Sequence, residues 1–163
     1  MHLLHPSVHH RARRALGVAA CAVGLVATAA TTTVTTASAT PSSGVTATTI
    51  ATADLPAGLL PFISGPGVAT ARRITIAPGG TTGWHFHDGR IVGIVESGTL
   101  THPGADCKPV TYRTGQVILE PEGRANTHRG QNLTTTPVVL DVVYLLPKGA
   151  PFFEDAPAPP CDR

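Results

Sequence analysis

Residues 79–89 read Gly-Gly-Thr-Thr-Gly-Trp-His-Phe-His-Asp-Gly, with two histidines separated by a single residue. On a β-strand, His85 and His87 occupy positions i and i+2 and project to the same face, while Trp84 and Phe86 project to the other. Two imidazoles on one face can hold one divalent metal ion. The alternative is a pair of surface or core histidines flanked by aromatic residues, because His-x-His alone is a weak pattern.

Glycine and proline divide the chain into short segments on both sides of this stretch. No window between residues 55 and 147 contains an amphipathic helical pattern of 11 or more residues free of Gly and Pro. Short segments rich in β-branched residues, separated by turn signals, are typical of an antiparallel sandwich or barrel. The predicted strands lie near 68–77, 82–87, 91–96, 98–102, 109–113, 116–120, 126–131 and 137–146.

Two groups of Gly, His, Pro and Asn residues recur at defined spacings. The first is Gly79-x5-His85-x-His87 followed by Gly98, and the second is Gly115-x5-Pro121-x-Gly123 followed by His128-x3-Asn132. Together they resemble the two sequence motifs of the cupin superfamily, and residues 78–85 are similar to its small, exported, single-domain members. The resemblance covers roughly residues 68–146. It implies an all-β fold with a single antiparallel double-stranded β-helix, also called a jelly-roll barrel.

The chain departs from the family pattern at two positions. The carboxylate ligand of the first motif would fall at position 91 or 92, where this chain has Ile91 and Val92. The histidine of the second motif would fall at Asn126, and His128 follows two residues later. Because side chains alternate along a strand, a shift of two residues leaves His128 on the expected face. We interpret the shift as a lengthened turn, with a lost ligand as the alternative.

The resemblance implies a metal site made of His85, His87 and His128, without a carboxylate. Imidazole ligands suit Fe, Mn, Zn, Cu and Ni, and the sequence does not choose among these divalent ions. Three neutral ligands leave the +2 charge uncompensated, which favours a small polar or anionic ligand. If the protein is an enzyme, the family implies metal-dependent oxygenase, isomerase or decarboxylase chemistry. The alternative is a barrel that binds a small molecule without turnover, which the missing carboxylate favours.

Several further residues are candidates for contact with the substrate or with the ligands. Arg90 and Tyr112, together with Arg73, are candidates to face the cavity and bind an acidic substrate, although surface ion pairs and barrel packing are the simpler interpretations. Glu120 is a candidate to orient a ligand histidine by hydrogen bonding to it without binding the metal itself. We expect His102 to face solvent beside a turn. Asn132 is expected to close a turn rather than to touch a substrate.

Residues 1–39 have the three-part pattern of a cleaved signal peptide. A polar, basic segment (1–14) precedes an apolar run (15–30), and Ala37-Ser38-Ala39 supplies a small-x-small cleavage site. The run of about 16 residues is shorter than the roughly 20 that a membrane-spanning helix requires. A lipoprotein attached through Cys21 and export by a twin-arginine signal are the alternatives. The sequence thus predicts a secreted protein whose mature chain has no membrane span.

The remaining chain divides into a Thr/Ala-rich lead-in (40–54), the barrel (55–150) and a Pro-rich tail (151–163). The lead-in is expected to carry an edge strand near residues 45–53. Nine Lys and Arg and ten Asp and Glu follow residue 39, so this part has a formal charge of −1, which argues against a nucleic-acid partner. The family often forms homodimers through such an arm, but nothing in the sequence requires one.

Export also changes how the cysteines are interpreted. Cys107 and Cys161 are the two cysteines that remain after removal of the signal peptide. Outside the cell, two thiols more often form a disulfide than a metal site. We therefore predict a Cys107–Cys161 disulfide that anchors the tail, and two free thiols are the alternative.

Overall fold

The computed structural model describes residues 39–162. The expected signal peptide and Cys21 lie outside the described residues. In the described part, no helix is long and apolar enough to cross a membrane. The strands are β1 Ser43–Leu55, β2 Gly67–Thr81, β3 His85–Phe86, β4 Arg90–Ser97, β5 Thr99–Pro103, β6 Pro109–Arg113, β7 Val117–Glu120, β8 Val138–Pro147 and β9 Glu154–Asp155, with 3-10 turns at Arg124–Asn126 and Pro160–Asp162.

Five of these strands form the larger sheet, in the order β1-β2-β8-β4-β7, with every neighbouring pair antiparallel. The all-β antiparallel fold expected from the sequence is therefore confirmed. β1 forms one edge of the sheet, where the sequence predicts an edge strand. The expected homodimer through this arm stays a prediction.

The five-stranded sheet forms one wall of the barrel. The opposite wall consists of the pairs β5-β6 and β3-β9, with residues 128–131 between them. Isolated bridges join His128 to His85 and Gln131 to Thr101. The sequence-based prediction of a continuous strand over 126–131 is wrong, because Arg124–Asn126 forms a 3-10 turn and isolated bridges at His128 and Gln131 follow it. The lengthened turn after Gly123 takes up the residues that would otherwise extend the strand.

Alternation along the strands places the apolar core between the two walls. In β8, every second residue from Val138 to Leu146 is buried, as the period of two predicts for a strand with one face toward a core. Complete burial of each such aliphatic side chain contributes about 1.5–3 kcal/mol. The buried cluster comprises Ile74, Ile76, Ile91, Val95, Leu100, Ile118, Val138, Leu140, Val142, Tyr144 and Leu146.

The C-terminal residues pack across the outer face of β3. Trp84 and Phe86 form a second cluster with Ala156, on the face opposite to the histidines, as the strand period predicts. The predicted Cys107–Cys161 disulfide is confirmed and lies beside this cluster, with 6.2 Å between the Cα atoms. The last residues therefore pack against the strand that carries His85, and the disulfide joins them to the loop between β5 and β6.

Candidate metal centre

Three imidazoles meet inside the barrel. His85 lies on β3, His87 follows it directly, and His128 pairs with His85 through two backbone hydrogen bonds of 2.9 Å. The centre of the His85 ring lies 4.9 Å from that of His87 and 4.5 Å from that of His128, and the centres of the His87 and His128 rings are 5.1 Å apart. All three residues are buried, and their ligand atoms lie within 4.8 Å of one another. The group is compact enough to hold one metal ion.

A backbone carbonyl faces the Nδ1 atom of each ring. These contacts are His85 Nδ1 to Gly83 O at 3.0 Å, His87 Nδ1 to Phe152 O at 2.7 Å, and His128 Nδ1 to Asn126 O at 2.8 Å. Because a carbonyl oxygen can only accept, each Nδ1 carries the proton and donates it. In the neutral ring, Nε2 then has a free lone pair, which is the tautomer that a metal ligand requires.

The Nε2 atoms of His87 and His128 are buried and make no hydrogen bond among the described residues. The Glu120 carboxylate is the acidic group close to both atoms. A metal ion bound by these two nitrogens would satisfy their lone pairs and the nearby negative charge, so the residues present fit a metal ion.

Glu120 approaches the same nitrogens from β7. Its Oε2 atom lies 3.1 Å from His87 Nε2 and 3.5 Å from His128 Nε2. Glu120 therefore lies beside two of the three imidazoles and would be close to an ion that they held. Its other oxygen, Oε1, accepts a hydrogen bond from His102 Nε2 at 3.0 Å.

The surroundings perturb the titration of three of these groups. Burial, reinforced by the neighbouring His128 and His87, lowers the pKa of His85 to about 3, so this ring is neutral at physiological pH. Burial alone would raise the pKa of Glu120, but the His102 hydrogen bond and the nearby imidazoles hold it well below its usual value. Burial also opposes protonation of His128, yet Glu120 raises its pKa overall. A proton and a metal ion therefore compete for the His128 nitrogen.

A cavity of about 250 Å³ opens beside the three histidines. Aliphatic side chains from β1, β2, β5 and β8 form the apolar part of its wall. Arg72 is its only Lys or Arg and Glu120 its only acid among the described lining residues. The lining comprises Ser42, Val45, Ala47, Arg72, Ile74, Ile76, Thr82, His85, His87, Leu100, His102, Glu120, Gly130, Leu140, Val142, Tyr144 and Phe153.

The three residues that the sequence suggested for binding an acidic substrate do not line this cavity. Arg90 is half exposed and pairs with Glu122 at 2.7 Å. Tyr112 packs against the apolar core, with its ring 6.0 Å from that of His102. Arg73 lies on the outer face of β2 and pairs with Asp141.

Two other expectations are decided by hydrogen bonds. The expectation that His102 faces solvent is wrong, because its side chain is only 12% exposed and donates to Glu120. The neighbouring strand β7 covers it, which the local turn signal did not reveal. Asn132 closes a turn as expected: it is fully buried, donates to the carbonyls of Ile76 and Thr136, and accepts from Thr134.

Sequence reasoning missed Arg72, Tyr144 and the C-terminal contributions to the site. Arg72 shares the parity of Ile74 on β2, and this alternation is the signal that identifies it as inward-facing. Phe152 supplies the carbonyl that orients His87, and the Phe153 ring lies 5.7 Å from that of His85. No local pattern marks these last two residues, because they reach the site only through the tertiary fold.

Comparisons with known proteins agree with this architecture. The family model described as "Cupin domain" matches residues 72–144. No curated protein matches the sequence. The match contains both the His-x-His strand and the stretch that carries His128 and Asn132.

Among solved structures, an oxalate oxidase is 25% identical over 46% of this chain and 40% of that chain, with a TM-score of 0.41. This chain thus spans less than half of that protein. A cupin superfamily protein from Desulfitobacterium hafniense DCB-2 is 12% identical over 63% of this chain and 77% of that chain, with a TM-score of 0.48. A predicted oxalate decarboxylase from Thermotoga maritima is 19% identical over 51% and 83% of the two chains, with a TM-score of 0.42. On the family match and the antiparallel barrel that surrounds the three histidines, residues 72–144 of this chain form a cupin domain.

Proposed function

We propose that this protein is an exported metal-binding cupin in which His85, His87 and His128 hold one divalent transition-metal ion. The observation that supports it best is the set of three carbonyl contacts to Nδ1, which leaves three Nε2 lone pairs for an ion. The spacing of Glu120 supports its role as the fourth ligand. With an ion bound, the cavity beside it takes a small polar or anionic molecule.

A bound ion would supply Lewis acidity toward an oxygen atom of that molecule. The chain's own residues would hold and shield the ligand. The aliphatic side chains of the wall would contact the carbon skeleton of the ligand, and His102 holds one oxygen of Glu120 so that the other faces the imidazoles. These features support oxygenase, isomerase or decarboxylase chemistry, and they serve a non-catalytic binding barrel equally. The absence of a carboxylate at positions 91 and 92 favours the binding barrel, whereas the short distances from Glu120 to His87 and His128 favour a metal site.

The metal content of the exported protein tests the proposal. We expect one equivalent of metal per chain in the wild type, and its loss in His87→Ala and His128→Ala. Arg90→Ala serves as a surface control and keeps the metal. Absence of metal after exposure to saturating Fe, Mn, Zn, Cu and Ni contradicts the proposal. Turnover is measured separately, since bound metal alone does not distinguish an enzyme from a binding barrel.

Export rests on different observations. The signal-peptide pattern of residues 1–39 and the Cys107–Cys161 disulfide both support it, because disulfides persist in oxidising compartments. Sequencing the N-terminus of protein recovered outside the cell is expected to begin at Thr40. A lipid-modified N-terminus at Cys21 would instead identify a lipoprotein.

A further inference from the structure

Arg72 extends from β2 into the cavity without an acidic partner. No carboxylate lies within ion-pair distance of it among residues 39–162, whereas Arg73, Arg90 and Arg129 each pair with one. Its Nε atom is buried and makes no hydrogen bond in the same part of the chain. A charged donor of this kind is costly to bury unless something pairs with it.

Aromatic rings hold the guanidinium in place. Its carbon lies 4.0 Å from the centre of the Phe152 ring and 5.9 Å from that of Tyr144. Such cation–π contacts restrict the side chain. The guanidinium also hydrogen-bonds the side chain of Tyr144, a neutral partner, and its buried Nε–H remains without an acceptor among the described residues. Arg72 is thus positioned without being neutralised.

The same two aromatic residues connect Arg72 to the metal centre. The Tyr144 ring centre lies 5.8 Å from that of His87, and the Phe152 carbonyl accepts from His87 Nδ1. Arg72 and the imidazoles therefore border one cavity. Its size, about 250 Å³, and its aliphatic wall suit a molecule with a short carbon skeleton.

Charge indicates which end groups such a molecule carries. Among the described residues, Glu120 is the only acid that lines the cavity, and its two oxygens face His102 and His87 rather than Arg72. The planar guanidinium offers parallel N–H donors that match the two oxygens of a carboxylate. We propose that Arg72 binds the carboxylate of a small aliphatic acid in this cavity. The inference rests on the proposed function in one respect, since it names the class of molecule that this site takes.

Calorimetry with acetate, malonate, succinate and glutarate, each compared with its neutral amide, tests the inference. A hydrogen bond to a charged group contributes roughly 1.5–3 kcal/mol, so we expect the best acid to bind on the order of tenfold to a hundredfold more tightly than its amide. Arg72→Gln should abolish this preference. Arg73→Gln is the matched control, because it removes the adjacent arginine from the outer face of the same strand and should keep the preference.

Arg72→Lys addresses the case in which Arg72→Gln does not fold. Lysine keeps the charge and loses the planar pair of donors, so we expect weaker binding that still favours the acid. The proposal is overturned if no acid in the set binds the wild type, if acids and amides bind it equally, or if folded Arg72→Gln retains the wild-type preference. A lower melting temperature of Arg72→Gln with that preference unchanged would assign Arg72 a purely structural role.

Each measurement is made on chelator-treated protein and on protein loaded with Zn²⁺. If Arg72 determines carboxylate binding in a protein that takes up no metal, the metal proposal fails and the inference stands. If the metal binds and the acids are not preferred, the inference fails and the metal proposal stands.

Discussion

Ile91 on β4 lies directly opposite Glu120 on β7 in the antiparallel pair. Directly opposed residues project from the same face of a sheet, so both side chains point into the barrel. The cupin pattern expects its carboxylate at this place on β4, and here the neighbouring strand supplies one instead. A carboxylate that is missing from β4 is therefore present on β7, beside the imidazoles of His87 and His128.

The first prediction concerns the carboxylate of Glu120 on β7. Glu120→Gln removes the charge while keeping the size of the side chain, and we expect metal affinity to fall by at least roughly tenfold. Glu122→Gln is the matched control, since it makes the same chemical change in a surface ion pair with Arg90. Metal titration followed by calorimetry measures both.

A second variant tests whether a carboxylate on β4 can replace the one on β7. Ile91→Glu in the Glu120→Gln background returns the carboxylate to the opposite strand, and we expect it to recover part of the lost affinity. Equal metal affinity of Glu120→Gln and wild type would show that Glu120 is not a ligand.

The disulfide should contribute to both stability and metal binding. It attaches the segment whose Phe152 carbonyl orients His87. Replacing Cys107 and Cys161 by serine should lower the free energy of unfolding by about 2–4 kcal/mol. The variant should also bind metal more weakly, because His87 loses a fixed acceptor.

Thermal unfolding and metal titration of the double variant measure the two effects. Reduced stability with unchanged metal affinity would mean that the C-terminal segment holds its place without the disulfide.

Stability at low pH should depend on Asp162. The Trp84 indole donates to this carboxylate at 2.7 Å, and this hydrogen bond, with a further contribution from Arg129, lowers the pKa of Asp162 below its ordinary 3.8. Because the pKa of Asp162 is lowered in the folded protein, the ionised carboxylate stabilises the folded state at pH values above the pKa that Asp162 has in the unfolded chain. This stabilisation is lost as the pH falls through the pKa that Asp162 has in the folded protein. We therefore expect the loss below pH 3.8.

Fluorescence reports this step, because Trp84 is the only tryptophan in the sequence. The emission should change as Asp162 takes up a proton, and Asp162→Asn should remove that change. Asp141→Asn is the control, since the pKa of Asp141 is also lowered but its hydrogen-bond partner is Arg73 and not Trp84. A titration that is identical in Asp162→Asn and wild type would contradict the assignment.

Asn132 should be important for stability rather than for ligand binding. Its side chain is fully buried and makes hydrogen bonds to Ile76, Thr136 and Thr134. Asn132→Ala leaves several buried groups without partners, at about 1–3 kcal/mol each, and should lower the free energy of unfolding by at least about 3 kcal/mol. Chemical denaturation measures the loss.

Thr134→Val provides the comparison for this network. It removes only the hydroxyl that donates to Asn132, so it should cost less, about 1 kcal/mol. A near-neutral Asn132→Ala variant would contradict the structural role.

Local sequence patterns predicted the strands well where apolar and polar residues alternate regularly. They failed where the chain does not continue as a regular strand. The predicted strand over 109–113 has the observed bounds, and the other predicted strands except 126–131 overlap observed ones. The failure over 126–131 has a physical cause, because the turn after Gly123 adopts 3-10 geometry before His128 rejoins the sheet. Side-chain parity survived this error, so His128 still faces the other two histidines.

The sequence by itself determined which side chains share a face: His85 and His87 on one, Trp84 and Phe86 on the other. This follows because the period of two is a property of adjacent residues. Only the tertiary structure decided that Glu120 lies beside the imidazoles and that the Phe152 carbonyl orients His87. It also decided that Arg72 has no acidic partner within residues 39–162. Those relationships depend on which distant segments pack together, and the free energy that selects such packing comes from the whole core rather than from any one stretch of chain.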